Sequence, residues 1–130
     1  MGGEQKSVLL IDDEPFFLVM GQDLLEEKGY HVITAQSGRE GLEKARTMRP
    51  NAILLDVVMP EMDGFETCER LKADLLTQDI PIIMLTASED AKLNQKAFQS
   101  GADFTLPKSS HADQLLHTLT LALATKRIES

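Results

Sequence analysis

Cysteine is nearly missing from this chain of 130 residues: Cys68 stands alone. An internal disulfide is therefore excluded, and the composition suits a reducing compartment. Cys68 itself reads as an inert thiol on a helix. Tryptophan is absent and tyrosine occurs once, which leaves little for a flavin or similar ring to stack on. No apolar run approaches the length of a membrane span, and the opening "MGGEQKS" is too short and polar for a signal peptide. The expectation is a cytoplasmic protein with no membrane partner. Clusters of Lys and Arg are also lacking, and the net charge is −8. That argues against direct nucleic-acid binding by this domain, which needs concentrated positive charge. Low-complexity segments, linkers and a composition shift are absent, so residues 1–130 read as a single domain with a core over about 7–126.

What is there is an alternation of short apolar runs and amphipathic stretches. Val8–Ile11, residues 30–35, Ala52–Asp56, residues 81–87 and residues 103–106 read as five strands. Helices follow each of them. Pro15 fits a first helical turn and Gly29 its end. Ser37 to Glu40 has the capping-box form and opens a helix to about Met48, stopped by Pro50. Asp63 caps a helix over roughly Phe65 to Leu75, another runs from about Asp90 to Gln99, and the last from Ser110 to about Lys126. Strands that are apolar throughout and joined by helices imply a parallel sheet covered on both faces. The fold class expected is α/β, a flavodoxin-like doubly wound sheet of five strands in order 2-1-3-4-5 with five helices. In such sheets the functional crevice lies at the carboxyl ends of the strands, at the switch point beside strand 1.

The stretch "SVLLIDDEPFF" ends its apolar run in Asp12, Asp13 and Glu14. Strand 3 ends in Asp56, strand 4 in Thr86 followed by Ala87 and Ser88, and Lys108 stands just past strand 5. Two carboxylates about 4 Å apart repel by roughly 4 kcal/mol at an effective dielectric near 20. A Mg²⁺ ion reverses that sign, because it takes oxygen ligands and shares them with phosphate oxygens. Lys108 can neutralise a second anion, Thr86 can donate a hydrogen bond to it, and a carboxylate can itself be the nucleophile. The pocket therefore suits a phosphoryl group beside a divalent cation. Asp12 and Asp13 as helix caps alone, Thr86 as an ordinary strand end and Lys108 as a solvated lysine are the plainer readings of each residue taken singly. The histidines, His31, His111 and His117, lack metal-ligand spacing.

Four blocks in order, "LLIDDEP", "ILLDVVMPEMDG", "IIMLTA" and "GADFTLPK", resemble the signature blocks of bacterial response-regulator receiver domains (CheY-like). The resemblance implies roles position by position. Asp56 matches the phospho-acceptor. Asp12 and Asp13 match the acidic pair that holds Mg²⁺ together with Asp56, Asp13 directly and Asp12 largely through water. Val58 matches the position whose backbone carbonyl completes the metal ligands. Thr86 matches the switch hydroxyl, Ala87 the position whose backbone meets the phosphoryl group, and Lys108 the lysine that pairs with it. The donor implied is a histidine kinase or phosphotransfer protein, and the output a changed surface of helix 4, strand 5 and helix 5 read by a downstream effector. Such a domain is not an enzyme with a separate substrate, although it assists its own phosphorylation and dephosphorylation.

This chain departs from the family at two places. Thr105 stands where family members carry Tyr or Phe, with Phe104 one residue earlier and so on the opposite face of the strand. Ser109 follows the lysine where proline is common, so a trans bond is expected there. Thr105 is the main support for an alternative, a receiver-like binding module that does not switch. An aspartyl-phosphate phosphatase would carry Asp-x-Asp on strand 1 and a cap insertion, and a flavodoxin-like cofactor binder would need a Ser/Thr/Gly-rich loop where this chain has acids. Phe16, Val19 and Met20 at helical spacing predict a widened buried stripe on helix 1. The sharper reading is a docking face for a kinase or phosphotransfer helix. Leu121, on the leucine-rich last helix, is the candidate for an exposed dimer or output contact.

Overall fold

The computed structural model describes residues 5–87 and 90–124. Five strands, β1 (Ser7–Ile11), β2 (His31–Ala35), β3 (Ala52–Asp56), β4 (Ile82–Thr86) and β5 (Phe104–Pro107), alternate with α1 (Pro15–Glu27), α2 (Gly38–Met48), α3 (Gly64–Ala73), α4 (Ala91–Gln99) and α5 (Ala112–Ala124). All neighbouring strands pair in parallel, in the order β2-β1-β3-β4-β5. The flavodoxin-like sheet expected from the strand–helix alternation is the one observed.

Alternation along the strands divides the core in two. Leu9, Ile11, Ile53, Leu55, Ile82 and Met84 face one cluster, which includes Phe65, Cys68 and Leu71 of α3 and Ala97 of α4. Val8, Leu10, Leu54, Ile83, Leu85 and Leu106 face the other, with Leu18 and Leu25 of α1 and Leu119 and Ala122 of α5. Each fully buried Leu or Ile side chain stabilises the fold by about 1.5–3 kcal/mol.

Helix ends follow their local chemistry. The Ser37 hydroxyl accepts from Glu40 N–H (3.1 Å), while the Glu40 carboxylate accepts from Gln36 N–H (2.8 Å). Asp63 caps α3 by accepting from Glu66 N–H at 2.9 Å. α3 stops at Ala73 rather than near Leu75, because Asp74 turns extended and its carboxylate accepts from Leu76 N–H (2.9 Å). Asp103 is not part of β5. Its N–H donates to Ile82 O at 2.9 Å and its carboxylate accepts from Ile82 N–H at 2.8 Å, tying the start of β5 to the start of β4. α5 begins at Ala112, and its expected end near Lys126 lies outside the described residues.

The widened buried stripe expected on α1 is overturned: Phe16, Val19 and Met20 are 76%, 56% and 54% exposed. Gly21 explains the rotation of the helix. A Cβ there would lie 2.7 Å from Leu10 Cδ2, so α1 approaches the sheet along Gly21, Leu18 and Leu25. Residues 16, 19 and 20 then face outward.

Candidate functional site

The carboxyl ends of β1 and β3 lie side by side at the switch point, and the Lys108 side chain reaches them from just past β5, across β4. Val8 and Leu10, Ala52 and Leu54, and Leu106 share one core cluster. Two residues further along each strand direction stand Asp12, Asp56 and Lys108. Ile11 pairs with Leu55, so the next residues, Asp12 and Asp56, end their strands side by side.

Asp12, Asp13 and Asp56 each offer a carboxylate oxygen, and these lie within 4.8 Å of one another. Asp12 and Asp56 are buried, and Asp13 is half-buried. Lys108 Nζ lies 2.7 Å from Asp12 Oδ2, 2.7 Å from Glu14 Oε1 and 3.5 Å from Asp56 Oδ2. Asp12 Oδ2 meets that ammonium and, among the described residues, no other donor. Asp12 Oδ1 accepts from Glu14 N–H (2.9 Å), which folds the loop back over the end of β1. Three hard oxygen ligands that crowd together with one shared ammonium, two of them on buried carboxylates, fit a divalent cation of the Mg²⁺ kind.

The electrostatics follow from burial and neighbours. Loss of water and then the Asp12 charge push the Asp56 carboxyl up to about 6, against the pull of Lys108 and the Val58 backbone N–H. Burial disfavours the Lys108 charge, but Asp12, Glu14 and Asp56 outweigh it and raise the ammonium above its ordinary value.

Thr86 is buried at the end of β4, and its carbonyl accepts from Lys108 N–H at 2.7 Å. Ala87 follows it, exposed; Ser88 lies outside the described residues. The Val58 side chain is exposed beside Asp56. Gly64 fixes the β3–α3 loop against the site. Its N–H donates to Val57 O at 2.8 Å, and a Cβ there would stand 2.3 Å from Asp56 O. All the predicted site residues thus gather at one end of the sheet.

Two residues that motif reasoning left out belong to the same constellation. Glu14 is the N-cap of α1, yet its side chain caps nothing and reaches Lys108 instead. The Phe17 ring lies under the same ammonium, 4.6 Å from Nζ to its centre. The run of three acids was the only signal for Glu14, and its partner lies 94 residues away.

A doubly wound five-stranded sheet with an aspartate cluster and a lysine at its switch point defines a class of signalling domains. The family model for the response regulator receiver domain matches residues 8–120. The chain belongs to that family and is a receiver domain of the two-component type. It is 41% identical over 103 residues to the alkaline phosphatase synthesis transcriptional regulatory protein PhoP of Bacillus subtilis, covering 79% of this chain and 42% of that protein. The chain spans less than half the length of several such curated relatives. Among solved structures, a putative response regulator from Chloroflexus aurantiacus superposes with a TM-score of 0.89 at 32% identity, covering 93% of this chain and 99% of that one. The receiver domain of sensor histidine kinase PA1611 from Pseudomonas aeruginosa superposes with a TM-score of 0.86 at 26% identity, covering 93% and 99%. That structure holds a magnesium ion coordinated in its active-site cleft.

Proposed function

We propose that Asp56 is the phospho-acceptor of this domain, supplied by a phosphohistidine on a histidine kinase or phosphotransfer protein. The observation that carries this reading is the arrangement around Asp56: two further carboxylates within 4.8 Å and an ammonium 3.5 Å away. An Asp56 oxygen attacks phosphorus in line, the Asp56 O–P bond forms, and the P–N bond to the donor histidine breaks. Lys108 meets the charge on the phosphoryl oxygens. The Ala87 backbone and the Thr86 hydroxyl take two of those oxygens as the product forms. Asp12, Asp13, Asp56 and the Val58 carbonyl would hold Mg²⁺, which supplies charge neutralisation at the transferred group. Water later hydrolyses the acyl phosphate and resets the domain.

The new charge biases a two-state element. Thr86 and Lys108 are drawn towards the phosphoryl group, and the loops after β4 and β5 move with them. The surface of α4, β5 and α5 is the proposed output, read by an effector or by a second copy. Leu121 of α5 is exposed there as expected. The exposed face of α1 is the proposed docking site for the donor helix. Phe16, Val19 and Met20 are exposed on it, and Met20 also lines, with Leu24, Pro107 and Leu115, an apolar groove of about 340 Å³ that reaches Lys108.

The test is incubation with Mg²⁺ and acetyl phosphate, followed by intact mass. A gain of one phosphoryl group in the wild type, dependent on Mg²⁺ and lost in Asp56→Asn, is expected. An equal gain in Asp56→Asn, or none in the wild type, overturns the reading.

A further inference from the structure

We propose that Glu14 is a positioning residue that holds the Lys108 ammonium in reserve and so sets how readily the pocket takes a phosphoryl group. The inference rests on the phospho-acceptor role of Asp56. Lys108 has three N–H donors and faces three carboxylates. Its contact with Glu14 is as short as that with Asp12, 2.7 Å, and shorter than that with Asp56. The ammonium is therefore drawn towards the mouth of the pocket, over the Phe17 ring.

A phosphoryl group on Asp56 replaces the long 3.5 Å contact to Asp56 with closer acceptor oxygens, which draws the ammonium inward and pulls it from one of its two 2.7 Å contacts. Asp12 is fully buried, so water cannot take the place of the lysine beside it. The Glu14 side chain is 64% exposed and can be rehydrated at once. Glu14 is the contact that gives way. An interaction present before transfer and absent after it stabilises the starting state alone, and so raises the barrier.

Glu14 is free for this work because of its place in the chain. As the N-cap of α1 its side chain makes no cap hydrogen bond to the first-turn N–H groups that follow Pro15. Its own N–H is held by Asp12 Oδ1, which aims the side chain across the pocket.

The test compares wild type and Glu14→Gln with saturating Mg²⁺ and two small donors, acetyl phosphate and the less negatively charged phosphoramidate, reading the rate of mass gain. Glu14→Gln is expected to react about two- to five-fold faster, the range an exposed ion pair is worth, and by the same factor with both donors. An unchanged or slower rate overturns the inference. So does a gain that grows with the negative charge of the donor, since that marks general repulsion rather than release of Lys108. No mass gain in the wild type with either donor removes the phospho-acceptor reading and this inference with it.

Discussion

Asp12 and Asp56 share one ammonium unequally: Lys108 Nζ stands 2.7 Å from the first and 3.5 Å from the second. At Asp56, burial first and the Asp12 charge second together outweigh the lysine. The Asp56 pKa is raised although a lysine is close, and the site stores a repulsion that a divalent ion would relieve.

That repulsion has a pH signature in the metal-free protein. The Asp56 carboxyl is raised from 3.8 to about 6 on folding, by burial first and Asp12 second. Between those values the folded state holds a proton that the unfolded state has lost. Stability from this group is therefore full below about pH 4 and lost as pH rises through about 6, a difference of roughly 3 kcal/mol. The raised pKa of Lys108 stabilises across the whole window and does not change the slope. In chelator, denaturant midpoints of wild type minus Asp56→Asn should fall by roughly 1–3 kcal/mol between pH 4 and 7.5. A flat difference would show that Asp56 is not held protonated by its surroundings.

Gly64 is the second place where the site depends on close contact. An alanine Cβ would meet Asp56 O at 2.3 Å and Val57 Cα at 2.8 Å, both backbone atoms that cannot swing aside. Gly64→Ala should lower stability by about 1–3 kcal/mol, as overpacking does. It should also slow phosphorylation of Asp56 by acetyl phosphate, because the strand end that carries the acceptor is displaced. Rates equal to wild type would mean that the loop relaxes without moving Asp56.

Much of this was legible in the residues. Apolar strands ending in Asp12, Asp56 and Thr86 announced both the parallel sheet and the end of it that matters. Lys108 joined them because the alternation of β5 carries it past Leu106 on the same side. Two things were not legible. Phe16, Val19 and Met20 have the spacing of a buried stripe, and only the contact of Gly21 with Leu10 turns them outward. Glu14 looked like a third repelling acid, since a partner 94 residues away leaves no local pattern.

The far end of the sheet is held by a different lysine. Lys72 Nζ donates to Gln78 O (3.3 Å), Ile80 O (3.0 Å) and Asp103 Oδ2 (3.0 Å). It ties α3 to the starts of β4 and β5, where Asp103 also accepts from Ile82 N–H. Lys72→Met keeps the apolar stem and removes the donors, leaving the partly buried Ile80 carbonyl unmet. A loss of about 1–2 kcal/mol is expected in denaturant unfolding. Phosphorylation by acetyl phosphate should be unchanged, because Lys72 lies at the opposite end of the strands from Asp56. A changed rate would show that the two ends of the sheet are coupled.

The exposed face of α1 separates a folding role from a docking role. Phe16 and Val19 are 76% and 56% exposed, so Phe16→Ala with Val19→Ala should change stability by no more than about 0.5 kcal/mol for each site. Apolar anchors at a protein interface are worth more than about 1 kcal/mol when truncated. Transfer from a phosphorylated histidine donor should therefore slow by at least about five-fold in the double variant. Acetyl phosphate does not dock on α1, and its rate should stay at the wild-type value. If both donors slow together, the two residues act on the pocket through α1 itself. If neither slows, the donor helix binds elsewhere and the apolar face serves another contact.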